Sequence, residues 1–239
     1  MRVFSCVFLS LLLLAWSLGT TVVEQIGTPY RMIAEHLDPA APRGIEYFAQ
    51  LERALDTHGM LEACPRDLAR SVVTIRLARL DAALREGDGG AKLRALTDAQ
   101  TALNAALRCF PHDGNLWLRM AMVEFVRAGP TESVAQQLAM SAAVFPREGA
   151  TLKQRIAFAA RLAQEEDAAG AATMVLAKDI AVLVGEARPE EIASLYLEAG
   201  EVAGKYFEES ISTLGSGRQT AIKEAIDRAA AALPARQRF

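Results

Sequence analysis

Three histidines, three cysteines and 29 carboxylates are the side chains of this 239-residue chain that could carry metal, nucleophilic or acid–base chemistry. A metal site needs several donors at helical or loop spacing, and His36, His58 and His112 stand far apart with no C-x-x-C or H-E-x-x-H pattern. His112 beside Asp113 has the residue types of a base and its orienter. Its counterpart in a second, matching segment is Arg147 beside Glu148, which assigns both pairs to turns with solvated charge. Gly215-Ser-Gly-Arg218 has the glycines of a phosphate loop, but no strand precedes it and no Gly-Lys-Ser/Thr follows. Asp98, Glu124, Glu165, Glu166 and Asp167 read as solvated helix faces, because unpaired acids are rarely buried. No nucleophile is placed with a base. The expectation is a chain without catalytic residues, cofactor or metal.

Cys64 and Cys109 each precede the proline of a helix junction. Exported proteins keep disulfides and cytosolic ones rarely do. A bridge over this interval would contribute about 4 kcal/mol on the chain-entropy argument. Against it, helices of neighbouring hairpins pack about 8–10 Å apart, whereas bridged Cα atoms lie within about 7 Å. Two small buried thiols are the alternative. Cys6 should stay unpaired.

The elements that hold these residues are helical. The chain is rich in alanine and leucine, with few aromatics and no sustained strand-like alternation; Ser71-Val-Val-Thr-Ile75 lies inside a longer helical pattern. A net charge of −3 gives no footprint for nucleic acid. Five lysines against 21 arginines, with abundant alanine, point to a GC-rich bacterial genome. Two segments match: Cys109-Phe-Pro-His-Asp-Gly114 and Val144-Phe-Pro-Arg-Glu-Gly149, with Pro111 and Pro146 35 positions apart. A period of that length is the mark of stacked helical hairpins. Expected helices run 45–61, 68–85 (N-cap Asp67), 92–108 with an irregularity at Thr97-Asp98, 115–127, 132–144 (N-cap Thr131), 151–164, 171–184, 189–210 and 218–233, with Gly215-Ser-Gly217 as a breaker.

Val3 to Val23 carries no charge, follows Arg2 and includes Leu11-Leu-Leu-Leu14. As a helix it would reach about 30 Å, the thickness of a bilayer core. This predicts a signal anchor or transmembrane helix over 1–26, a linker over 27–44, a helical domain over 45–233 and a frayed tail over 234–239. Arg2 would hold the N-terminus in the cytoplasm. The alternative is a cleaved signal with an imperfect site near Ser17-Leu18-Gly19. Either reading exports the rest of the chain.

The helical part resembles the tetratricopeptide (TPR-like) repeats over 67–184. In that pattern a bulky residue stands early in the first helix, followed by a leucine and a small residue. Trp117, Met120 and Ala121 keep the spacing, and Pro111 matches the closing proline of the preceding unit. In the second copy the places fall to Leu152, Arg155 and Ile156, so an arginine replaces the leucine; Glu124 replaces the tyrosine. The resemblance implies a short TPR-like stack of helical hairpins, a right-handed α-solenoid; with the helical composition and the apolar segment 3–23, the expected fold is all-α, a single N-terminal membrane-spanning helix followed by that stack. An irregular α-bundle with two similar junctions is the alternative. Phe110, Pro111, Gly114, Trp117, Ala121, Phe145, Pro146 and Gly149 are then turn and packing residues, Trp117 being core rather than a stacking platform.

Functionally these features suggest a non-catalytic, membrane-anchored periplasmic adaptor. It would sit in the bacterial inner membrane as a single-pass protein and bind protein partners in cell-envelope biogenesis, polysaccharide assembly or export being one candidate process. Two alternatives stand beside it. One is an accessory subunit of an inner-membrane complex held through its helix; the other is an extracytoplasmic small-ligand binder or enzyme. The broad apolar arc of the 189–210 helix should pack into the core or cap the stack; Tyr206 and Phe207 at its aromatic end are core residues or, alternatively, candidate contacts for a partner or a second copy.

Overall fold

The computed structural model describes residues 25, 27–37, 43–55, 64, 66–165 and 169–232. Among these the chain is all-helical, with no strand. The apolar segment 3–23 and the tail 234–239 lie outside the described residues, and no helix among those described is long and apolar enough to cross a membrane. The chain divides into two compact units, Met1–Pro111 and His112–Phe239, with the boundary inside the first Phe-Pro turn.

The first unit holds α1 (27–35), α2 (Ile45–Leu55), α3 (Arg66–Glu86) and α4 (Gly89–Cys109). α1 falls where a linker is expected; Tyr30 anchors it in the core, and Gly27 rests against Leu68 of α3. α2 buries Phe48, while residues 56–61 of the helix expected over 45–61 lie outside the described residues. α3 and α4 form an antiparallel hairpin. Alanines 91, 95, 99, 102 and 106 line the buried side of α4, and such small side chains let α3 bring Val73, Ile75 and Leu80 close. Asp88 caps α4 by accepting from the Gly90 N–H at 2.9 Å.

Two local expectations fail here. Asp67 is not the N-cap of α3 but lies in its first turn, one residue inside a helix that starts at Arg66. α4 runs without a break through Thr97-Asp98: the Thr97 hydroxyl donates to the Leu93 carbonyl, and Asp98 reaches across to Arg79 at 2.6 Å. A polar pair that could have stopped the helix is used along it and across the hairpin.

The second unit contains α5 (Gly114–Ala128), α6 (Glu132–Val144), α7 (Gly149–Leu162), α8 (Ala169–Glu186), α9 (Pro189–Glu198), α10 (Gly200–Ser212) and α11 (Ser216–Ala232). α5 pairs with α6 and α7 with α8; α7 also lies on α5 and α6, and α8 on α6. One apolar cluster, including Leu118, Leu138, Ile156, Leu162, Leu176 and Ile180, runs through all four helices. Thr131 caps α6 as expected, and Pro189 opens α9 with Glu190 and Glu191 behind it, where acids favour the positive end of the helix dipole.

Beyond α8 the pattern changes. The single helix expected over 189–210 is two helices, because Gly200 takes a left-handed backbone (φ 73°) that ends the run at Ala199. α9 packs on α11, and α10 turns back onto α8. The last break falls at 213–215, so Ser216 and Gly217 belong to the first turn of α11 rather than to the breaker.

Candidate functional site

Cys64 and Cys109 are joined by a disulfide with Cα atoms 5.5 Å apart. The distance objection dissolves because both cysteines belong to one hairpin. Cys64 lies just before α3 and Cys109 is the last residue of α4, so the bridge closes the open end where the two chain directions meet. Cys64 takes a left-handed backbone (φ 52°) to bring its sulfur there. On the same side, the Arg66 guanidinium sits 5.4 Å over the Phe110 ring.

The two Phe-Pro segments are copies in three dimensions. Phe110 ends α4 at φ −131°, ψ 64°, and Phe145 ends α6 at φ −141°, ψ 62°. Each donates its N–H to the carbonyl four residues back, and Pro111 and Pro146 then prevent the helices from continuing. The acids after them are N-caps rather than solvated charges. Asp113, itself buried, accepts from the Asn115 and Leu116 N–H groups, and Glu148 accepts from the Thr151 N–H at 2.7 Å. Hydrogen bonds from the Thr151 side chain and backbone hold the Glu148 carboxyl below the usual carboxylate range. The caps are also tied to each other, since the Asn115 amide donates to the Thr151 hydroxyl at 3.2 Å. His112 is exposed, and exposed Arg147 pairs with Glu186 at 3.3 Å.

The glycines of the two copies differ. A side chain on Gly114 would collide with Phe145 and stand 2.9 Å from the Ser141 carbonyl, whereas Gly149 faces open space. Trp117 is half-buried, while Ala121 is wholly buried. Glu124 is buried as well, not solvated, and is paired with Arg127.

The polar centre of the stack was not legible as a site. Arg155 is fully buried, and its guanidinium donates to both carboxylate oxygens of Asp179, at 2.6 and 2.9 Å. The remaining Nη1 donates to the Ser141 hydroxyl at 3.3 Å and the Phe145 carbonyl at 3.2 Å. Ser141 in turn donates to the Gly114 carbonyl at 2.7 Å. One arginine thus joins α6, α7, α8 and the second Phe-Pro turn. Burial pushes the Asp179 carboxyl up, and the Arg155 hydrogen bonds and charge pull against it. The available signal was Asp179 itself, an acid within the apolar run Met174–Val184.

Phe207, a candidate partner contact in the sequence, packs inside the protein. It is wholly buried with Ala203 and Ile211 on one face of α10, and its ring stands edge-on to Tyr196, 5.8 Å between centroids. Tyr206 is half-buried against the same core. A cleft of about 420 Å³ opens nearby between α10 and α11, with Tyr196 of α9 on its wall. Among the described residues no three His, Cys, Asp or Glu side chains converge as a metal site. Compared with known proteins, the chain matches no family model, no curated protein and no solved structure.

Proposed function

We propose that this chain is a non-catalytic adaptor, anchored in the bacterial inner membrane and exposed to the periplasm. Its TPR-like hairpins would hold a protein partner of the cell envelope. The observation that carries the reading is the replicated junction: two Phe-Pro turns, 35 residues apart, with the same C-cap dihedrals and the same acidic N-cap. A unit that repeats its junction repeats its hairpin, and stacked hairpins present extended surfaces suited to other chains. The Cys64–Cys109 bridge supports export, because such bridges persist in oxidising compartments. The uncharged segment 3–23 supplies the anchor in this reading, and anchoring raises the local concentration of a weak binding surface near a membrane machine. Polysaccharide assembly or export is the candidate process.

The test is crosslinking of the full chain in its native membrane, followed by mass spectrometry of the linked peptides. Links from the hairpins of 112–186 to one envelope complex support the adaptor. Links confined to the N-terminal segment favour an accessory subunit instead.

A further inference from the structure

α9 packs on α11 while α10 turns back onto α8, so α10 and α11 diverge from their shared turn at 213–215. The cleft left between them holds about 420 Å³. Its inner side is apolar: Tyr196 from α9, Ile211 from α10 and Ile226 from α11. Along α11 it extends from Gln219 to Asp227, about 12 Å at helical rise, or two turns of an incoming helix.

This inner side is held in place before anything binds. The Tyr196 ring is braced edge-on by buried Phe207, and its hydroxyl donates to Glu208 Oε1 at 3.1 Å. Gln219 is fixed by donating to the carbonyls of Ser212 and Leu214. A preformed surface spares much of the ordering cost of binding.

The rim and its surroundings are acidic. Glu208 of α10 and Asp227 of α11, both exposed, line the cleft, and Lys223 is the one basic side chain lining it. Over 189–232 there are eight carboxylates and four basic side chains. Two of those four are engaged: Arg218 donates to the Val184 and Ala187 carbonyls, and Arg228 lies against Glu190 and Glu224. Neither Glu208 nor Asp227 forms an ion pair among the described residues.

We infer that the α10–α11 cleft is a docking site for a basic amphipathic helix of a partner protein. Its large apolar side chains, three or four residues apart, lie over Tyr196, Ile211 and Ile226. Its lysines or arginines reach Glu208 and Asp227. Lys223 sets the register by rejecting a basic residue at one position. This rests on the adaptor reading and adds to its hairpins a second partner surface, in α9–α11.

The probe is a fluorescent peptide of about 14 residues, nearly four turns, with leucine at i, i+3, i+4 and i+7 and lysine elsewhere; a second peptide carries glutamate for lysine. Anisotropy is read with the full chain in uncharged detergent and corrected for detergent alone. The lysine peptide should bind saturably and the glutamate peptide should not. Asp227→Lys, at an exposed position, should weaken binding about tenfold or more, and Glu201→Lys, an exposed acid of α10 away from the cleft, less than about twofold. Equal weakening by the two variants would mean bulk attraction only, and overturns the site, as does absence of binding. Self-association abolished by Asp227→Lys would make a second copy the occupant. Tighter peptide binding after removal of residues 233–239 would make it the chain's own end. Either result overturns the proposal. A partner crosslinked only through 112–186 removes the cleft and leaves the adaptor; peptide binding at the cleft with no partner recovered does the reverse.

Discussion

Arg155 and Asp179, 24 residues apart and both buried, share two parallel hydrogen bonds that cross from α7 to α8. A buried pair of this kind stabilises weakly against an apolar replacement, but breaking one half leaves a charge without its partner. Asp179→Ala should therefore cost about 3–5 kcal/mol. The double variant Arg155→Met/Asp179→Leu should recover most of that loss. Urea unfolding of Asp179→Ala and of the double measures it; a double as unstable as Asp179→Ala would show that the bonds from Arg155 to Ser141 and Phe145 matter more.

The paired glycines of the repeat predict opposite outcomes. Gly114→Ala must push Phe145 or the Ser141 carbonyl aside and should destabilise by about 2 kcal/mol, as overpacking does. Gly149→Ala meets nothing and has ordinary backbone angles. It should be neutral or gain about 0.5 kcal/mol by restricting the unfolded chain. Thermal midpoints of the two variants, measured side by side, decide the point.

Those glycines also show what can be read from sequence here. Helix ends are local events, so Thr131, Pro189 and the Phe-Pro junctions announced themselves through residue type and order. The consequence of a junction is not local. Gly114 is constrained by Phe145, 31 residues away, and Arg155 by Asp179, and no spacing rule brings those partners together. Gly200 was hidden for another reason. One glycine in an apolar helical pattern is tolerated as often as it breaks, and only the return of α10 to α8 decides it. The cleft depends on that break, so its acidic rim was scattered through one expected helix and the next.

Glu148 predicts a pH dependence. Its folded carboxyl is held below its ordinary value by the hydrogen bonds from Thr151. The unfolded chain therefore takes up protons first as pH falls. The cap's contribution, about 1 kcal/mol, is fully present above the unfolded value near pH 4.5 and is lost as pH falls through the folded one. Glu148→Gln should thus be less stable than the parent at pH 7, by a margin that narrows as pH falls below about 4.5, compared by denaturant midpoint at both ends of that range. A difference that persists undiminished at the lower pH would place the stabilisation elsewhere.

The disulfide makes a prediction confined to one unit. Reduction, or Cys64→Ser with Cys109→Ser, frees the 45-residue interval and should cost the first unit about 4 kcal/mol. α3 and α4 should lose hydrogen-exchange protection. Protection of α5–α8 should hardly change, because their core is built from residues 118 onward. Equal loss in both units would mean that they unfold together.

Phe207 and Tyr206 are neighbours on α10 with different exposure, and that difference separates packing from surface roles. Phe207 is wholly enclosed and braces Tyr196 at the cleft. Phe207→Ala should cost about 3–5 kcal/mol, the usual toll for emptying an aromatic site. It should also release the Tyr196 ring, weakening binding of the lysine peptide even where the variant remains folded. Tyr206→Ser, at a half-buried position that does not line the cleft, should cost less and leave peptide binding intact. Urea midpoints and peptide anisotropy on the same samples test both halves. If Tyr206→Ser alone abolished binding, the contact surface would lie on the opposite side of α10, and the cleft would be only a gap between diverging helices.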